Sequence, residues 1–206
     1  QCGASHAKVL DCGKVAWIQS GPTAREFSVR PPVEFGGVEQ PGILASLADL
    51  EAAYEAGTSW IADVRSGAEH RGETSGYASL AARGRIPGSI HAGDADDRAG
   101  LYVDAEGRLA SPDAVVDLWR ASGLALNKER TGFERDTIFV CGGGWRASLA
   151  LVFARHLGLR NARACEEGWA GWSTDFTPDP NALGPTPGFR QTPSGRPVEI
   201  GPLRGA

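Results

Sequence analysis

A β-branched and aromatic run, Thr137-Ile138-Phe139-Val140, stops at Cys141-Gly142-Gly143-Gly144-Trp145-Arg146, and an apolar helical pattern takes over from Ala147 to Leu157. This hand-over constrains the fold more than any other stretch. The short apolar run is the pattern of a strand buried on both faces, and Gly158 stands where a left-handed residue closes a helix. Cys141 therefore sits at the carboxyl end of a buried strand, beside the amino end of a helix. Oriented amides and the positive end of the helix dipole favour an anion there, such as a thiolate or the sulfur it carries. Three glycines accept positive φ, so the amides can curl into a nest, and Arg146 adds a fixed charge with a planar fork of donors. An exposed, electropositive setting of this kind makes Cys141 the most nucleophilic of the four thiols.

The rest of the chain supplies an alternating pattern. Ser46 with Asp49 reads as a capping box opening a helix that Gly57 ends. Residues 59–64 read as a strand, 66–88 as a long polar excursion without a helix assignment, and 89–91 as another strand. Ser111-Pro112 opens a helix with Val115, Leu118 and Trp119 at helical spacing. Strand 136–141, helix 147–157, strand 162–165 and a short helix from Gly168 follow. The order predicts an α/β fold, three layers deep, around a mostly parallel sheet, with a ligand site beyond the carboxyl ends of its strands.

Four stretches in this order resemble the rhodanese (sulfurtransferase) superfamily. Cys141-x-x-Gly144-x-Arg146 resembles its active-site loop, and Trp60-Ile61-Ala62-Asp63-Val64-Arg65 its first core strand with the Asp-x-Arg ending. Gly84-Arg85-Ile86-Pro87-Gly88 resembles its GHIPGA turn, and Glu166-Glu167-Gly168-Trp169-Ala170-Gly171-Trp172 its DGGWxxW segment. The Cys-Gly-x-Gly-Trp-Arg loop, preceded by Ser75-Gly76-Tyr77 through Gly88, is similar to that of a tandem-domain thiosulfate sulfurtransferase subgroup. The resemblance covers Leu44 to Trp172 and implies a rhodanese-like α/β/α fold. It also implies sulfur transfer from thiosulfate or a mercaptopyruvate-like donor, through a persulfide on Cys141, to a thiol, cyanide or a sulfur-accepting protein. No metal and no organic cofactor is implied. A noncatalytic rhodanese module, or a cysteine-dependent phosphatase or arsenate reductase, is the alternative. The latter relatives use His-Cys-x5-Arg, whereas Val140 precedes Cys141 here and Arg146 is its fifth successor.

The resemblance further implies that Gly142, Gly143, Gly144, Trp145 and Arg146 bind the donor, with Asp63 and Arg65 supporting the loop by hydrogen bonds. Glu69 falls where tandem enzymes often carry an arginine that contacts the donor, so a carboxylate at the pocket mouth is expected to repel a dianion. Gly142 and Gly143 replace basic residues common in that subgroup. His91 and His156 read as structural, and Cys165 as an inert core residue.

The chain has 206 residues, 41% hydrophobic, with a formal net charge of −4 and four cysteines. These figures give no case for nucleic acid, and no run of about 18 apolar residues points to a membrane span. A reactive thiol without a Cys-x-x-Cys pair favours a reducing compartment, the cytoplasm. Residues 1–20 read as the last strand–helix unit of a preceding rhodanese-like domain, 21–43 as a proline-bearing linker, and 44–175 as the catalytic domain. Residues 176–206 form a tail with seven prolines and five glycines between Thr177 and Ala206, read as an extended strap or disordered end without chemistry.

Overall fold

In the computed structural model, the structure describes residues 9, 13–21, 31, 42–93, 102–103, 108–179 and 188–202. Five short strands form one sheet in the order β1-β5-β4-β2-β3. They are β1 (Leu44–Ala45), β2 (Trp60–Asp63), β3 (Ile90–His91), β4 (Thr137–Val140) and β5 (Ala162–Cys165), and every pairing is parallel. β4 lies at the centre, as its unbroken apolar sequence requires. Ile138 and Val140 point into the cluster on one face, while Phe139 and Cys141 join the cluster on the other. That is the two-residue alternation of a strand covered on both sides.

The helices divide accordingly. α4 (Pro112–Ala121) and α5 (Trp145–His156) cover the face of Phe139, while α2 (Leu47–Ala56) and α6 (Gly168–Ser173) cover the face of Val140. α2 has the expected capping box: Ser46 Oγ accepts from the Asp49 amide, and Asp49 accepts from the Ser46 amide. Gly57 closes it at φ 62°. In α4 the Ser111 hydroxyl caps the Ala114 amide. Its buried stripe, Val115, Val116 and Trp119, drives the helix onto the sheet. Fully buried Trp119 still satisfies its indole, donating to Tyr102 Oη at 2.9 Å, which in turn donates to the Ala92 carbonyl. Truncating such an aromatic costs about 3–5 kcal/mol, so Trp119→Ala would remove much of a typical domain's margin.

Two parts of the structure differ from the sequence reading. The polar excursion contains a short helix, α3 (Gly67–Arg71), opened by a second capping box of Ser66 with Glu69. The tail also has regular structure. β6 (Thr174–Asp179) and β7 (Gly188–Pro193) pair antiparallel as a hairpin, and β6 runs through the expected domain boundary at 175. Beyond it, Glu199 bridges to Arg85, and the Pro197 carbonyl accepts from the Trp172 indole. Proline content left an extended strap and a disordered end both open; contacts with residues far away in sequence order the described part of the tail as a strap.

At the other end, α1 (Gly13–Ser20) is a helix with Trp17 and Ile18 exposed. Most of linker 21–43, the acidic stretch 94–97, Leu183, Cys2 and Cys12 lie outside the described residues. Among those described, no helix is long and apolar enough to cross a membrane.

Candidate functional site

β4 delivers Cys141 to the carboxyl edge of the sheet, where Val140 is in register with Asp63 at the end of β2. The chain then turns through Gly142–Gly144 into α5. Of the three glycines only Gly144 is left-handed, at φ 82°, where it caps α5. Gly142 is needed for a different reason: a Cβ there would lie about 2 Å from the Tyr77 ring. The carbonyls of Cys141 and Gly142 turn away, accepting from the Trp169 and Ala170 amides at 2.7 and 2.9 Å. Trans peptide geometry points the following amides the opposite way. None of the amides of residues 142–146 donates to a described protein group, which is the arrangement of an anion cradle at a helix start.

Cys141 itself has no exposed surface, which corrects the expectation of an exposed thiol. Its side chain continues the Phe139 face into the core cluster with Ala147, and the Tyr77 ring closes over Gly142 above it.

Arg146 takes partners that the sequence did not indicate. Its guanidinium donates twice to Glu69, both bonds 2.7 Å, and once to Tyr77 Oη at 2.9 Å. Burial alone would lower its basicity, but the Glu69 carboxylate outweighs that and holds its pKa up. For Glu69, burial would raise the carboxyl; hydrogen bonds from Arg146 and the Ser66 amide win, and the pKa falls below the ordinary range. Glu69 is 1% exposed. A Cβ on Gly76 would strike its carboxylate. The expectation of an open carboxylate repelling the donor is therefore corrected. Glu69 is the N3 residue of a capping box and the counter-charge of the loop arginine. The Ser66-x-x-Glu69 spacing was the readable signal for the cap, though not for the pairing with Arg146.

Asp63 and Arg65 lie below the loop as a buried ion pair, with a shortest contact of 2.6 Å. Arg65 also donates to the Gly84 carbonyl and stacks over the Trp169 ring. Burial would push the Asp63 carboxyl up, but the charge of Arg65 more than offsets this. Neither side chain bonds to residues 141–146, so their expected hydrogen bonds to the loop are absent. They brace the turn at Gly84 instead. His91 bonds the Arg65 carbonyl, and His156 ends α5 at the surface. Cys165 belongs to the cluster on the other face of the sheet. Burial pushes its thiol up to about 11.

Two cavities flank the loop. One is bounded by Gly143, Gly144, Trp145, Ser148 and Glu166, with Trp145 88% exposed at its rim. The other, about 390 Å³, lies between Gly142, Gly143 and Tyr77 on one side and the β6–β7 hairpin on the other. Tyr77 and the hairpin are site elements that the sequence reading missed. Tyr77 stood in plain sight within the Ser75-Gly76-Tyr77 motif. The hairpin had no local signal. Among the described residues no three His, Cys, Asp or Glu gather as metal ligands would.

Comparison with known proteins agrees with this geometry. The model of the rhodanese-like domain family matches residues 46–175. Thiosulfate sulfurtransferase YnjE of Escherichia coli is 27% identical over 186 residues, 84% of this chain and 40% of that protein. The 3-mercaptopyruvate sulfurtransferase of the same species is 22% identical, over 82% of this chain and 56% of its own. A solved structure of an EanB variant, carrying a cysteine persulfide in a tetrahedral intermediate state with ergothioneine, superposes with a TM-score of 0.74. It is 25% identical and covers 95% of this chain and 42% of its own. The chain thus spans about half or less of the length of these relatives.

Proposed function

The chain belongs to the rhodanese-like family, and on that premise we propose that it is a sulfurtransferase whose carrier is Cys141. One observation carries this reading: Cys141 ends the central strand at a six-residue loop whose amides, residues 142–146, donate to no described protein group. In the proposed reaction the Cys141 thiolate attacks the outer sulfur of thiosulfate, the bond to the sulfonate sulfur breaks, and sulfite departs with its electron pair. Cys141 is left as a persulfide. The cradle holds the anionic sulfur in both states, as preorganised donors hold an oxyanion. A thiophilic acceptor then removes the outer sulfur. The reaction needs no metal and no organic cofactor, and a thiol that must remain reduced suits a reducing compartment.

The names of the relatives support the reaction type, and the persulfide in the EanB structure supports the intermediate. The donor is assigned to thiosulfate on the likeness to YnjE; mercaptopyruvate is the second candidate, through the other Escherichia coli relative. Intact-mass and peptide mass spectrometry after exposure to each donor tests the reading. One added sulfur on the peptide containing Cys141 is expected. Addition elsewhere, or undiminished transfer by Cys141→Ser, overturns it.

A further inference from the structure

The cavity beside the hairpin differs from what a small dianion needs. Leu80, Ala170, Phe176 and Phe189 provide apolar walls, and Tyr77 provides an aromatic one. Phe176 and Phe189 are 43% and 59% exposed. They are large apolar rings held open to solvent on facing strands, next to Gly142 and Gly143. The one side-chain amide in the wall, Gln191, is already occupied. It donates to the Ser79 carbonyl at 2.6 Å and accepts from the Ala81 amide, tying the hairpin to the segment that carries Tyr77.

None of the residues lining the cavity is charged, and the loop arginine with the two buried arginines below it are paired. Glu69 neutralises Arg146, Asp63 neutralises Arg65 and Glu199 neutralises Arg85. Burial raises the Tyr77 phenol, so the ring wall is neutral at physiological pH. An anion entering this cavity gains no ion pair there, whereas an apolar body leaves water for aromatic surface. About 390 Å³ is the size of a small-molecule site.

We propose that this cavity seats the sulfur acceptor, and that the acceptor is an organic thiol with an aromatic or bulky aliphatic, uncharged body. The proposal rests on Cys141 being the sulfur carrier. The acceptor thiol gives its proton to solvent, and its thiolate attacks the outer persulfide sulfur. The sulfur–sulfur bond to Cys141 breaks, its electron pair returns to Cys141 as thiolate, and the acceptor leaves as its own persulfide. Phe176 and Phe189 set specificity and do not touch the reacting atoms.

The test compares phenylmethanethiol, 2-mercaptoethanol and cyanide as acceptors with thiosulfate as donor. The proposal expects kcat/KM for phenylmethanethiol to exceed that for 2-mercaptoethanol by about tenfold or more, the scale on which apolar pockets discriminate. In Phe176→Ser/Phe189→Ser the ratio of kcat/KM for phenylmethanethiol to that for cyanide should fall about tenfold. Because both rates come from one sample, the ratio is independent of the folded fraction. Phe189→Leu, which keeps an apolar wall, should hold the ratio within about threefold. Equal kcat/KM for the two thiols, or an unchanged ratio in the double variant, overturns the acceptor assignment. Transfer to any acceptor by Cys141→Ser overturns the carrier reading instead.

Discussion

Two cysteines end neighbouring parallel strands, and they differ in almost everything except position. Cys141 directly follows β4 and Cys165 closes β5; both are free and wholly buried. After Cys141 come three glycines and a run of open amides. After Cys165 come Glu166 and Glu167, and the Glu167 carboxylate lies 3.5 Å from its sulfur. Burial and that carboxylate both disfavour the Cys165 thiolate, although amides of residues 167 and 168 work against them. The strand end places a thiol. The four or five residues that follow decide what it can do.

The largest expected effect breaks the comparison outright if it fails. Cys141→Ser should lower sulfite release from thiosulfate by about a thousandfold or more, while Cys165→Ser stays within about threefold of wild type. Equal losses would mean that the pair differs only in appearance.

The next test sharpens the Cys165 side. Its thiol ordinarily titrates near 9 and is held to about 11 in the fold. Above pH 9 the unfolded chain therefore loses this proton first, and the folded state is penalised. Stability should be fully retained below pH 9 and fall by on the order of 3 kcal/mol toward pH 11, at 1.36 kcal/mol per unit. Urea melts of wild type and Cys165→Ala across that range measure the difference, and parallel curves would contradict the assignment. Glu167→Gln should flatten the dependence in part.

On the Cys141 side, Arg146→Lys keeps the charge but gives up the bidentate grip on Glu69 and the bond to Tyr77. We expect kcat/KM to fall about 10- to 100-fold with an unchanged circular dichroism spectrum. Full activity would show that charge alone matters. The smallest effect belongs to Tyr77→Phe, which removes one hydrogen bond to Arg146 and leaves the ring over Gly142. A loss of about three- to tenfold in kcat/KM is expected, the size of one such bond.

Much of this comparison was legible in the sequence. The apolar run into Cys141, the glycine loop and the cap of α2 are local patterns, and local physics fixes them. The partners of the loop were not legible, because Arg146 meets Glu69 from 77 residues away and Phe189 reaches the cavity from a proline-rich tail. Glu69 shows both sides. Its capping role was written in Ser66-x-x-Glu69, but its pairing with Arg146 depends on how α3 and α5 come together. The seat of Tyr77 over Gly142 likewise depends on tertiary contacts, because its stretch carries no helical or strand period.

The anchoring of the tail changes where this domain can be cut. Arg85 has no exposed surface, and its guanidinium donates to the carbonyls of Gly201 and Pro202 and pairs with Glu199; only the His70 carbonyl among its acceptors precedes the hairpin. A fragment ended at residue 175, where the family match stops, would strand that cation, and breaking a buried pair costs about 3–5 kcal/mol. The unit that unfolds together therefore extends past the unit that sequence families recognise. Excision, fusion and circular permutation should respect the former, leaving the chain whole through Pro202.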